Sequence, residues 1–288
     1  MQFTFRPRLT MYFRKVVQGI VIHWRALRTE GCGLPYIWAA WKSLFFNRRE
    51  MDFLGQKIKY DAYLTPFFLY SFVPEISRFI VAYNTSAKPV VLDIGANYGG
   101  WGYTLMRLVP GARLYSFEPN PVIFDILKQN SEKNKNWTAY NLGLFSDNQE
   151  RAFFFVHGKS AQGSIHKKNS NLDLLAIRQP EKINVSLRCF ASTPLYRDGI
   201  SHFDFVKVDV EGAEFEVLQG LAGITWSYLY VEATCGAERH GSNVKDILTL
   251  IKDQWGHVDI LYERKTSDFT VDLIVGKSMQ TRELNSAS

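Results

Sequence analysis

Cysteine is scarce in this chain of 288 residues. Its three thiols, Cys32, Cys189 and Cys235, stand far apart and match no metal-binding spacing such as CxxC. A sparse, odd set of thiols excludes a disulfide scaffold and suits a reducing compartment, so the expected location is cytoplasmic. Long hydrophobic runs are missing too. Uncharged stretches such as 31–41 and 62–74 fall short of the roughly 18–20 apolar residues a spanning helix needs. The opening MQFTFRPRLTMYFRK is basic, but no long apolar core and small-residue cleavage site follow it, so a secretory signal is not expected. With 20 Gly and 10 Pro, collagen-like and low-complexity classes are excluded.

What the chain does have is aromatic and hydrophobic side chains, 15% and 46% of it. That composition excludes general disorder and allows one large core. Charge is unevenly placed. Residues 1–60 hold 11 Lys and Arg against 3 Asp and Glu, a local +8, and the formal total is +6, so the rest of the chain carries −2. The basic segment is interleaved with Trp24, Trp38, Trp41, Phe45 and Phe46. It reads as a basic, aromatic extension over 1–50. Two roles stay open for it: peripheral contact with an anionic membrane surface, or a helical cap packed on the main domain.

The remaining pattern alternates strands and helices. Strands are predicted at Pro89–Gly95, Ala112–Phe117, Trp137–Leu142, Phe203–Val208 and Tyr228–Val231, and two more at Val258–Tyr262 and Thr270–Val275. Helices are predicted at Gly99–Val109, Pro121–Asn134 and Ala213–Gly220, at about Asn243–Trp255 behind a Ser242 cap, and from Pro74 to about Tyr83. Residues 52–63 read as a hairpin or extended arm. Arg151–Val156 and Ile183–Phe190 alternate like strands, which makes 150–200 an inserted hairpin and loop unit. Residues 279–288 read as a flexible tail, leaving 51–278 as the main domain. The class is α/β, an open and mostly parallel sheet with helices on both faces.

In such sheets a ligand binds beyond the carboxyl ends of the strands. The first of these ends reads Asp93-Ile94-Gly95-Ala96-Asn97-Tyr98-Gly99. The glycines allow a sharp turn and close backbone approach. A nicotinamide fingerprint would need a glycine where Asn97 stands, and Asp93 is poor company for a pyrophosphate. Both features tolerate a cofactor without phosphate and with a cationic amino-acid end. Glu118 follows about 20 residues later at the next strand end, where a carboxylate can accept both ribose hydroxyls. Loop, acid and spacing together point to S-adenosylmethionine. The blander reading makes Glu118 and Asp93 ordinary strand-end acids.

The residues VVLDIGANYGGWG, YSFEPNPVIFDIL, NLGLFSD, FDFVKVDVEGAEFEVLQG and LYVEAT resemble, in order, the signatures of the FkbM-type S-adenosylmethionine-dependent methyltransferases. The resemblance spans about 52–277 and leaves 1–50 outside. It implies the class I methyltransferase (Rossmann-like) fold: seven strands, with VDLIV around Asp272 as the final, antiparallel one. It implies O-methylation of a hydroxyl on a sugar, glycan or secondary metabolite. Carried over by position, Asp93, Gly95, Asn97 and Gly99 would hold the methionine end and Glu118 the ribose. Pro119 and Asn120 would shape the adenine side, and Asn141 and Gly143 would border it with Asp147 nearby.

Asp209 and Glu211 follow the fourth strand and would face the acceptor. In an extended chain the two would point the same way, and mutual repulsion would raise one pKa and make a general base. Alternatively they would join Glu232 as oxygen ligands of Mg²⁺, or only tie the loop. Glu214 suits the first turn of the following helix. Lys207, in a buried strand pattern, reads as catalytic or as snorkelling to the strand end. None of the six histidines forms a metal-ligating pair, although His166 and His240 lie where an acceptor could be reached.

The acceptor class expected is a small molecule or glycan. Nucleic acid is not expected, because the stretch after the fourth strand reads Asp209-Val-Glu-Gly rather than a base-flipping N/D-P-P-Y/F. The competing function is a non-catalytic S-adenosylmethionine-binding module that docks on a membrane-associated assembly.

Overall fold

A computed structural model describes residues 49–60, 69, 72–73, 75–77, 86–156, 163–166, 180–235, 243–266 and 270–277. Most of the 1–50 extension, Pro74, Cys32, His23, His157, His240, Ser242 and the 279–288 tail lie outside these residues. Among the described residues no helix is long and apolar enough to cross a membrane.

The described residues begin with a hairpin of β1 (Glu50–Phe53) and β2 (Gln56–Lys59). The main domain then runs β3 (Val90–Ile94), α1 (Gly100–Leu108), β4 (Arg113–Phe117), α2 (Pro121–Ser131) and β5 (Trp137–Tyr140). A small unit follows, made of β6 (Gly143–Leu144), β7 (Gln149–Phe155), β8 (Glu181–Arg188) and the short α3 (Pro194–Arg197). The domain resumes with β9 (His202–Val208), α4 (Glu214–Gly220), β10 (Thr225–Thr234), α5 (Val244–Trp255), β11 (Val258–Lys265) and β12 (Thr270–Lys277).

Seven of these strands form one sheet in the order β11-β12-β10-β9-β3-β4-β5. The pairings β10–β9, β9–β3, β3–β4 and β4–β5 are parallel, and β12 runs antiparallel to both neighbours. The last strand in sequence is thus the antiparallel one, and it lies between β10 and the edge strand β11. This arrangement is the class I methyltransferase fold. Strand order reverses at β3, so the crevice lies beyond the carboxyl ends of β3 and β9.

Burial explains the composition of the strands. β3 reads VVLDI because helices cover both of its faces, and parallel strands so enclosed are continuously apolar. On one face Trp101, Leu105, Ile123 and Leu127 of α1 and α2 pack with Phe205, Tyr228 and Tyr230. On the other, Val217 and Leu218 of α4 and Ile247 and Ile251 of α5 pack with Val206, Leu229 and Val231. α2 starts where expected, with Pro121 in its first turn and the Asn120 side chain accepting from the Val122 N–H.

Several boundaries differ from the sequence expectation. β10 continues to Thr234 because β12 pairs with it as far as Thr270, so Glu232 lies inside a strand rather than beyond its end. The cap of α5 is Asn243, whose side chain accepts from the Asp246 N–H. β5 stops at Tyr140 because the Asn141 side chain turns back to the carbonyls of Glu118 and Pro119. β7 and β8 form an antiparallel pair, and β6 adds to β8 to make a three-stranded sheet.

Candidate active site

The loop after β3 is fastened on both sides. The Gly95 and Ala96 N–H groups both donate to the Phe117 carbonyl, at 3.0 Å each. The Asp209 N–H donates to the Ile94 carbonyl at 3.1 Å. Gly95 has φ +80, and a Cβ there would come within 1.8 Å of the Asp209 carbonyl oxygen. Only glycine permits the loop after β3 and the loop after β9 to touch in this way. Gly99, with φ +86, starts α1 against Leu127 and Trp137. Asn97 also takes a left-handed backbone, and its side chain accepts from the Tyr98 N–H.

Glu118 lies in the crevice between these loops. Its Oε2 accepts from the Asn97 N–H and its Oε1 from the Asn120 N–H, both at 2.9 Å. It is 7% exposed. Burial lifts its pKa to about 7, against the pull of those two N–H groups. Asn141 ties the Glu118 and Pro119 carbonyls, and Gly143 packs its backbone against Pro119 and Leu187. Asp147 is exposed and bonds Gln149.

Asp93 is wholly buried rather than presented to solvent. Its Oδ1 faces Lys207 Nζ at 3.5 Å, an ion-pair distance but long for a hydrogen bond. The protein's own ammonium thus answers the carboxylate that the sequence assigned to the cofactor's cationic end. Burial raises the pKa of Asp93, and Lys207 opposes that rise.

Lys207 itself does not snorkel. Its Nζ is also 3.0 Å from Asp209 Oδ2 and lies over the Trp101 ring, 5.8 Å from the centroid. Burial works against its charge, but Asp209, Asp93 and Glu75 more than offset that, so its pKa is raised.

The extended geometry assumed for Asp209 and Glu211 is not found. Glu211 has φ +53, which turns the chain, and Asp209 is paired with Lys207. The carboxyl pushed well above its ordinary range is Glu232, with Asp209 as the main cause, followed by burial, Glu211 and Asp272. Repulsion between carboxylates therefore operates here, and it raises the pKa of the residue read as a third metal ligand. Among the described residues no set of three or more His, Cys, Asp or Glu side chains is arranged to hold a metal ion.

Glu214 is fully buried. Its Oε1 accepts from the Gly212 N–H at 2.7 Å and from the Thr234 hydroxyl at 3.3 Å, so it braces the turn around Glu211. The inserted unit reaches the same turn, because the Ser164 hydroxyl donates to the Glu211 carbonyl at 2.8 Å. His166 lies next to it, its N–H donating to the Ser164 hydroxyl. His202 starts β9 at the opposite end of the sheet, and exposed His257 pairs with Asp259.

Sequence reasoning missed four contributors. Glu75 accepts from the Trp101 indole N–H at 3.0 Å, and burial lifts its pKa to about 7. The Tyr230 hydroxyl stands 3.2 Å from Asp272 and 3.5 Å from Glu232. Asn130 donates to the Tyr98 and Lys59 carbonyls, joining the glycine loop to the β1–β2 hairpin. A signal existed for Asp272, since an aspartate inside VDLIV is anomalous in a buried strand.

The sequence pattern of the methyltransferase FkbM domain matches residues 93–257, more than half of the chain. The chain belongs to the FkbM methyltransferase family. Similar curated proteins include Methyltransferase sdnD of Sordaria araneosa, 28% identical over 166 residues that make up 50% of this chain and 64% of that protein. The 2-O-methyltransferase NoeI of Sinorhizobium fredii is 26% identical over 51% of this chain and 63% of its own length. The hexuronic acid methyltransferase AglP of Haloferax volcanii is 26% identical over 63% and 69%. The match thus spans just under two thirds of the first and second of these relatives. Among solved structures, the magnesium protoporphyrin IX methyltransferase ChlM of Synechocystis PCC 6803 superposes with a TM-score of 0.47 at 12% identity, covering 88% of this chain and 94% of that one.

Proposed function

We propose that this FkbM domain binds S-adenosylmethionine and methylates a hydroxyl on a sugar or glycan. The observation that carries this reading is Glu118, a carboxylate at the end of β4 held in the crevice by the N–H groups of Asn97 and Asn120. Each of its oxygens keeps a lone pair, so a ribose diol can add two charge-assisted hydrogen bonds. The chemistry of the remaining donor set fits the same cofactor. Glu75, Asp93, Asp209, Glu211, Glu232 and Asp272 outnumber Lys207 and Arg264 around the sheet end, which favours a net cation and repels a pyrophosphate.

In this reading Gly95, Asn97 and Gly99 shape the methionine side, with Asp93 behind them. Pro119, Asn120, Asn141 and Gly143 border the adenine. When bound, the sulfonium supplies an already activated methyl group, so the chain's own work is alignment and proton removal. Glu232, crowded by Asp209 and Glu211, is the carboxyl with the strongest pull on a hydroxyl proton. Asp209 and Glu211 flank the acceptor and keep that pull high. The inserted unit, fixed through Ser164, forms the acceptor-side wall. A sugar hydroxyl as acceptor is supported by the printed activities of the NoeI and AglP relatives.

The test is calorimetry with S-adenosylmethionine on wild type and Glu118→Ala, followed by labelled methyl transfer to a panel of neutral sugars and uronic acids. Binding by wild type, loss in Glu118→Ala and transfer to a sugar support the reading. No binding by wild type rejects it.

A further inference from the structure

Lys207 occupies an unusual place. It is a buried cation whose strand register places it beside Asp93 on β3 and Tyr230 on β10. From there Nζ reaches Asp93 at 3.5 Å, in the donor-side motif, and Asp209 at 3.0 Å, in the acceptor-side loop. The Trp101 ring lies below it, and that indole's N–H holds Glu75 from outside the matched domain. Glu75, Asp93 and Asp209 face it directly, and Glu232 and Asp272 complete the acidic surroundings from β10 and β12.

We propose that Lys207 is a positioning residue that couples the two halves of the site, holding Asp93 of the donor side and Asp209 of the acceptor side with one buried ammonium. The inference rests on the S-adenosylmethionine reading above. Two carboxylates at strand ends whose following loops touch at Gly95 would repel without a cation between them. With Lys207 in place, the position of one carboxylate depends on the other. A change at Asp209 is therefore felt by the donor even where Asp209 does not touch it.

A double-mutant cycle read on S-adenosylmethionine affinity tests this, with folding checked by circular dichroism. Lys207→Met weakens binding by about tenfold or more, and Lys207→Arg, which keeps the cation, stays within about threefold of wild type. Asp209→Asn weakens binding about threefold or more when Lys207 is present and has no further effect in the Lys207→Met background. A purely structural lysine would shift melting without this dependence. Lys207→Met binding within about twofold of wild type, or an Asp209→Asn loss equal in both backgrounds, overturns the proposal. If Lys207→Met does not fold, Asp209→Asn decides alone, because Asp209 is partly exposed and its loss spares the core. Wild-type affinity in Asp209→Asn then overturns the proposal. Failure of wild type to bind the donor at all fails the functional reading, and this inference with it.

Discussion

Glu232 on β10 and Asp272 on β12 are direct register partners, two carboxyl groups side by side on one face of the sheet. Like charges opposite one another in a sheet are destabilising. The pair persists because the Tyr230 hydroxyl reaches both groups and Arg264 bonds Asp272 at 3.1 Å. Asp209, burial, Glu211 and Asp272 together raise the pKa of Glu232. A folded-state pKa raised in this way favours the fold while the group is protonated, and that benefit is lost as pH rises through the folded value. Glu232→Gln is expected to melt higher than wild type at about pH 8, while methyl transfer falls by roughly a hundredfold or more. Thermal melts together with turnover check this, and a destabilised but active variant would contradict it.

Donor binding should depend on pH through Glu118. Burial puts its pKa at about 7. The ionised carboxylate accepts the ribose hydroxyls best, so affinity should climb as pH rises through about 7 and fall below it. Glu118→Gln removes that step along with most of the affinity. Calorimetry across this pH window measures the slope, and a wild-type profile without a step would count against the assignment.

Glu214 gives a stability signature of its own. It is fully buried, and its pKa is also lifted to about 7. Its ordinary value is 4.5, so its favourable protonated state is complete below that value and lost as pH approaches 7. Wild type should lose stability across that interval, and Glu214→Gln should lose less. Melting temperatures on either side of the interval decide the matter.

At Gly95 the expectation is steric. Alanine would need a left-handed backbone and would place Cβ 1.8 Å from the Asp209 carbonyl oxygen. Gly95→Ala is expected to cost about 3 kcal/mol or more and to abolish donor binding, because both loops must part. Denaturant unfolding gives the magnitude, and a near-neutral effect would show that the loops are not held together here.

Ser164 separates the acceptor side from the donor side. Removing its hydroxyl leaves the Glu211 carbonyl without that bond, at a cost of about 1 kcal/mol. Ser164→Ala should raise the KM for the acceptor and leave S-adenosylmethionine affinity unchanged. Equal losses for both substrates would place Ser164 in the general scaffold instead.

The strand-end motifs were legible because their information is local. Gly95 after an apolar run, Glu118 after the next, and Pro121 behind Asn120 each announce a turn, a strand end or a helix start within a few residues. The length of β10 was not legible, because a partner about forty residues later extends it. Nor was the turn at Glu211, where a glutamate takes positive φ together with Gly212 beside it. The cluster of Glu75, Lys207, Tyr230, Glu232 and Asp272 draws on four separate segments, so no single stretch displayed it.

The sequence by itself determined the alternation of strands and helices, the crevice at the strand ends and the family, because periodicity and short motifs are written in neighbouring residues. Only the tertiary structure decided which carboxyls are crowded and buried and where the buried lysine points. Those properties depend on distances between residues far apart in the chain and on how completely water is excluded around them.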